Sequence, residues 1–242
     1  MSKAVVYRGG ANEYEGDEEV THVTVNDGLT KIKRQAFEGC KGLTNLSFLA
    51  DSAITTVGDW AFANSGITSL QSIENVKRID RGAFQECNDL CTVEGLGCEE
   101  MGIACFAWCI LLQSMKGWPA SMTVIPAFTF QDCTGMTTVD CDLSHVTSIG
   151  ANAFLNCTSL LPPSLSAEDA DPADVLAFLK RKSILERAPE RRAFLCSLKH
   201  AHIDFYNRTG DPCGASRRII MEFAGLFPAD IDEFKRGGGG QR

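Results

Sequence analysis

The sequence predicts an α/β solenoid of about six coils with stacked parallel strands, followed by a small helical cap. The first observation is a segment of the form Ala-Phe-x-x-Cys that keeps returning, as in Ala36-Phe37-Glu38-Gly39-Cys40 and Ala153-Phe154-Leu155-Asn156-Cys157. Its phenylalanines at 37, 62, 84, 106, 130 and 154 are 25, 22, 22, 24 and 24 residues apart. A period in the twenties marks coils that are too small to fold alone and that stack on their neighbours. The second observation is a leading apolar strand in every period, starting at Val20, Leu43, Ile67, Leu90, Leu112, Met136 and Leu160. The third is a second short strand with apolar residues three apart: Leu29/Ile32, Ile54/Val57, Val76/Ile79, Cys98/Met101, Met122/Ile125 and Val146/Ile149.

Taken in order, Ala4-Val5-Val6-Tyr7 is a β-type run ended by Gly9-Gly10, and residues 12–19 are dense in acid and read as a solvated loop. Val20 to Val25 alternates as a strand should, and Asn26-Asp27-Gly28 is a turn. Within each coil the Ala leaves room for the backbone to turn, and the Phe fills the wedge between coils. Leu43-Thr44-Asn45-Leu46-Ser47-Phe48 is read as the leading strand of the second coil. The fourth coil is the least regular, with Cys105 in place of the Ala and with Trp108, Trp118 and Pro119 nearby, so its outer surface is expected to be the odd one. Leu161-Pro162-Pro163 ends the array. Asp171-Pro172-Ala173-Asp174 then opens a helix, with an N-cap Asp, a first-turn Pro and an early acid. Its stripe is Val175, Phe178, Leu179 and Leu185. Two further stripes are led by Phe194/Leu198 and by Ile220/Phe223/Phe227, and 237–240 is a glycine tail. The expected organisation is therefore a strand and acidic loop over 1–19, the array over 20–163, a helical region over 164–236 and a tail over 237–242.

The coils resemble the BspA-type leucine-rich repeat, whose signature runs Ile-Gly-x-x-Ala-Phe-x-x-Cys-x-x-Leu. Ile149-Gly150-Ala151-Asn152-Ala153-Phe154-Leu155-Asn156-Cys157-Thr158-Ser159-Leu160 carries it in full, and Val57-Gly58-Asp59-Trp60-Ala61-Phe62 carries its first half. The resemblance covers about residues 20–163 and implies a leucine-rich-repeat array that binds protein and does not catalyse. Surface display is a habit of the family that the resemblance alone would imply.

Composition narrows the classes. The chain has 242 residues and a net charge of −8. Residues 1–163 carry 10 Lys/Arg against 19 Asp/Glu, so the array itself is acidic and repels phosphate backbones. No run is long and apolar enough to span a bilayer, and residues 1–8 lack the apolar core of a signal peptide. Five of the 11 cysteines, Cys40, Cys87, Cys109, Cys133 and Cys157, share one coil position where Ser65 stands in once. A small buriable group is what that position needs, and a reduced thiol supplies it. These readings together predict an intracellular, cytoplasmic protein that needs no cofactor and binds neither nucleic acid nor membrane.

Sites for chemistry are sparse. Cys196, His200, His202 and Cys213 are the one Cys/His cluster, but their spacing matches no common zinc site, and no metal is expected there. No phosphate-binding loop or dinucleotide fingerprint is present, and neither His22 nor His145 belongs to a triad. The candidate surface is the outward face of the leading strands, because alternate strand residues point away from the core. It comprises His22, Asn45, Ser47, Ser69, Gln71, Thr92, Glu94, Ser114, Lys116, Thr138 and Asp140, with Thr24 beside them. The expected function is a non-enzymatic scaffold that binds a partner protein through that face. The alternative is a metal or catalytic module in the C-terminal helices, with the array as its targeting arm.

Overall fold

Three side-by-side hydrogen-bond ladders build the array, one on each side of a flattened coil. The computed structural model describes residues 2–50, 52–70 and 73–187, and Met1–Arg187 form one compact unit. The leading strands are β1 (Lys3–Tyr7), β2 (Val20–Val25), β5 (Ser69–Leu70), β7 (Thr92–Glu94), β9 (Ser114–Lys116) and β11 (Thr138–Asp140). The second strands are β3 (Lys31–Ile32), β4 (Thr56–Val57), β6 (Arg78–Ile79), β8 (Glu100–Met101), β10 (Val124–Ile125) and β12 (Ser148–Ile149). All pairings are parallel, in the order β1-β2, β5-β7-β9-β11, β3-β4-β6-β8 and β10-β12.

The Ala-Phe-x-x-Cys segments make the third ladder. Each coil donates three backbone N–H groups to carbonyls of the next: Trp60 to Arg81, Phe62 to Ala83 and Asn64 to Gln85, and so along the chain. The residues two before and two after each Phe are left-handed, including Trp60, Asn64, Ala104, Trp108, Phe128 and Asp132. Inside this ladder the rings of Phe37, Phe62, Phe84, Phe106, Phe130 and Phe154 stack in one column with centroids 5.2–5.7 Å apart. The close approach of neighbouring backbones explains the Gly of the signature, since a Cβ on Gly150 would lie 2.3 Å from the Ala127 nitrogen.

Three sequence readings change. Residues 12–16 belong to the turn ladder: Asn12, Tyr14 and Gly16 donate to Arg34, Ala36 and Glu38, Asn12 and Gly16 are left-handed, and the Tyr14 ring stacks 5.6 Å from Phe37. The acidic stretch thus starts as a truncated coil that covers the N-terminal end of the column. The second coil has no leading strand. Asn45 Oδ1 accepts from the Ser47 N–H and hydroxyl, turning the chain into the short helix α1 (Ser47–Ala50), whose Leu49 and the preceding Leu46 face inward. Finally, the second-strand ladder breaks between β8 and β10, where Pro126 occupies the position from which Gly58, Asp80, Gly102 and Gly150 donate to the preceding coil. Proline has no N–H to give.

The first C-terminal helix forms where its N-cap predicts, as α2 (Pro172–Arg187), with Asp171 Oδ1 accepting from the Ala173 N–H at 2.8 Å. Val175, Leu176 and Leu179 are buried, and the Ser183 hydroxyl donates to the Cys141 carbonyl. This helix closes the C-terminal end of the core. The stripes led by Phe194/Leu198 and Ile220/Phe223/Phe227, and the glycine tail, lie outside the described residues.

Candidate interaction surface

The outward face of β5-β7-β9-β11 is a polar sheet in strict register. Leu70, Val93, Met115 and Val139 point inward and are buried. Ser69, Thr92, Ser114 and Thr138 pair residue for residue across the four strands and form one outward row. Glu94 and Lys116 occupy the next outward position in the same register, and Asp140 of β11 is aligned with Lys116. Lys116 Nζ reaches Glu94 Oε1 at 2.6 Å, so these charges are cross-strand partners.

The remaining candidates do not join this panel. His22 and Thr24 are exposed on β2, which pairs only with β1, and the His22 ring is 2.9 Å from the Thr21 hydroxyl. Asn45 and Ser47 form the turn into α1, where the second coil should have supplied a strand, and so they leave the row. Gln71 and the cluster Cys196, His200, His202 and Cys213 lie outside the described residues. Where the sheet is interrupted, a cavity of about 420 Å³ opens between the end of β2 and α1, lined by Thr24, Asn26, Ser47 and Ser52 among others. Sequence reading missed this gap.

A second charged row runs over the second strands, where Asp80 accepts from Lys31 at 3.0 Å and from Arg78 at 2.6 Å. Burial opposes ionisation of Asp80, but the two cations outweigh it, and the carboxyl lies below its ordinary value. Arg78 also meets Glu100, its register neighbour on β8. Nearby, the Arg34 and Arg81 guanidiniums each sit 5.3 Å from the centre of the Trp60 ring.

Inside, five thiols donate to the carbonyl of the aromatic residue one coil earlier: Cys40 to Tyr14, Cys87 to Phe62, Cys109 to Phe84, Cys133 to Phe106 and Cys157 to Phe130, all at 3.0–3.2 Å. Ser65 instead bonds the carbonyl of its own coil's Phe62 at 2.6 Å, a reach its shorter C–O bond suits. Burial pushes the thiols up, Cys87 to about 11 and Cys40 and Cys157 to about 12. A thiol that stays protonated is neither a nucleophile nor a metal ligand. The pH dependence follows. Between an unfolded thiol pKa of about 8.5 and these raised values, only the unfolded chain releases the protons. The melting temperature should be flat from about pH 7 to 8.5 and should fall steadily above about pH 9. A melting temperature that holds level to pH 11 would show that the ladder thiols are not buried.

Among the described residues, no group of three His, Cys, Asp or Glu is placed to hold a metal ion, and no helix is long and apolar enough to cross a membrane. The family profile described as BspA type leucine rich repeat region matches six copies, over residues 10–115 and 95–168. Its start at residue 10 takes in the Tyr14 turn. Among solved structures, the T. pallidum leucine rich repeat protein superposes with a TM-score of 0.58 at 17% identity, over 74% of this chain and 83% of that one, and shares the fold. A leucine rich cell surface protein of Faecalibacterium prausnitzii A2-165 is 26% identical with a TM-score of 0.48, over 69% of this chain and 43% of that one. Curated protein sequences give no match. With six coils matched in order across most of its length, the chain belongs to the BspA-type leucine-rich repeat family.

Proposed function

We propose that the chain is a non-enzymatic scaffold that binds a partner protein through the outward face of β5-β7-β9-β11. Leucine-rich repeat arrays are generally protein-interaction scaffolds, and regular solenoid faces are their usual recognition surfaces. The observation that carries the reading is the register of Ser69, Thr92, Ser114 and Thr138 beside Glu94, Lys116 and Asp140. The inward residues of these strands, Leu70, Val93, Met115 and Val139, fill the core, so the outward row can be changed without repacking it. Acidic charge on the array disfavours nucleic acid as that partner.

The test is a triple charge reversal, Glu94→Lys, Lys116→Glu and Asp140→Lys. The swapped Glu94–Lys116 pair keeps its attraction, so stability should stay within about 0.5 kcal/mol. Partner recovery in affinity capture with the full chain should be lost. Full recovery by the folded variant would move the site off this face.

We further propose a reducing compartment, supported by the buried free thiols of the ladder. Reductant should leave the melting temperature unchanged. A drop of several degrees would mean structural disulfides and an oxidising location.

A further inference from the structure

We infer that the turn of the fourth coil is a second docking surface, shaped for an amphipathic protein segment whose large apolar side chains are flanked by Lys or Arg. Trp108, Ile110 and Leu111 lie within four residues and are 37, 45 and 50% exposed. Ile103, at the head of the same turn, is exposed as well.

The protein's other coils serve as internal controls. Aligned on the phenylalanines, the Trp108 position holds Glu86 and Asp132 in the two neighbouring coils. That of Ile110 holds Asn88 and Thr134, and that of Leu111 holds Asp89 and Gly135. The backbone is the same in all three, with φ of 60° at Glu86, 63° at Trp108 and 58° at Asp132. Folding therefore requires nothing apolar here. A left-handed conformation also disfavours a bulky side chain such as Trp, whereas Asn and Asp tolerate it. The fourth coil carries apolar groups in water at a position where polar ones fit better. Such departures from local preference concentrate at functional sites.

The patch is also held ready. Trp108 Nε1 donates to Asp132 Oδ2 at 2.8 Å, and Asp132 Oδ1 accepts from Asn156 at 2.7 Å. The indole is fixed before any partner arrives, which lowers the ordering cost of binding.

Charge defines the occupant. From Gly82 to Leu179 the chain has one Lys or Arg, Lys116, against twelve Asp and Glu. Glu86, Asp89 and Asp132 stand one coil to either side of the patch. A second copy of this face would bring like charges together, and anionic lipid headgroups would be repelled in the same way. A cationic rim around an apolar ridge satisfies both features, in the manner of a helix laid on a hydrophobic surface.

The test uses the full chain and two synthetic amphipathic helical peptides, one of leucine and lysine and one of leucine and glutamate. The leucine/lysine peptide should bind, read by calorimetry, and the leucine/glutamate peptide should not. The variant Trp108→Asn, Ile110→Thr, Leu111→Ser takes its residues from equivalent positions in other coils and leaves every charge in place. It should keep the melting temperature within a few degrees and lose about tenfold or more in affinity. If that variant does not fold, Ile110→Thr alone should still lose at least about threefold. Equal affinity in the folded variant would reduce the interaction to bulk charge and overturn the site. Binding of the leucine/glutamate peptide, association with anionic vesicles, or a self-association that the variant abolishes would each overturn the assigned occupant.

Discussion

Replacing Phe84 with alanine should lower stability by about 3–5 kcal/mol, the cost of emptying a large aromatic site in a packed core. Phe84 is fully buried, with Phe62 and Phe106 stacked against its two faces at 5.6 Å each. The backbone on both sides is tied into the turn ladder, so the neighbouring coils cannot collapse into the space. That loss is a large share of a domain's usual margin of 5–15 kcal/mol, and it falls at the middle of a structure whose coils touch only their neighbours. Denaturant unfolding should therefore lose its single cooperative transition, or shift strongly to lower denaturant. By contrast, Cys87→Ser should be mild, because Ser65 already occupies that position. If Phe84→Ala proved no more damaging than Cys87→Ser, the phenylalanine column would not be a main source of the array's stability.

The second large effect is expected at the C-terminal end. A chain ending at Arg187 should stay monomeric and melt cooperatively, whereas a chain ending at Pro163 should aggregate or oligomerise. The shorter chain loses the whole of α2, and with it Val175, Leu176 and Leu179, which are buried at the end of the core. It also leaves β11 and β12 as exposed parallel edges, and open strand edges invite pairing with other chains. Size-exclusion chromatography and thermal melts of the two truncations decide the matter. A soluble, monomeric, cooperatively melting chain ending at Pro163 would refute the capping role of α2.

The repeat was legible because one solution is written six times. Second-strand pairs such as Val76/Ile79 could be aligned coil on coil, and the outward rows follow from strand alternation once the register is known. Even the Glu94–Lys116 ion pair is implied by that register. The departures were hidden for separate physical reasons. Tyr14 replaces Phe among acidic neighbours, yet it stands 23 residues before Phe37 and is followed by Gly16 as Phe37 is by Gly39. In the second coil Leu43, Leu46 and Leu49 are three apart, a spacing that suits inward positions in these short coils and in a helix alike. The deciding signal was Asn45, whose side chain competes with strand pairing. Pro126 was plain to see, but its meaning depends on knowing that its position is a ladder donor.

Those two interruptions have a mechanical consequence. The turn-side ladder runs without a gap from Asn12 to Leu155, while the leading-strand side is cut at α1 and the second-strand side at Pro126. The array thus has one inextensible edge and two slotted edges, the slots lying at different heights. Bending that opens the leading-strand side concentrates at the second coil, and bending that opens the opposite edge concentrates between the fourth and fifth. Compliance is therefore local and directional: the paired strands β5-β7-β9-β11 resist opening on their own side, and the array yields at their N-terminal border and, on the opposite edge, behind β7 and β9.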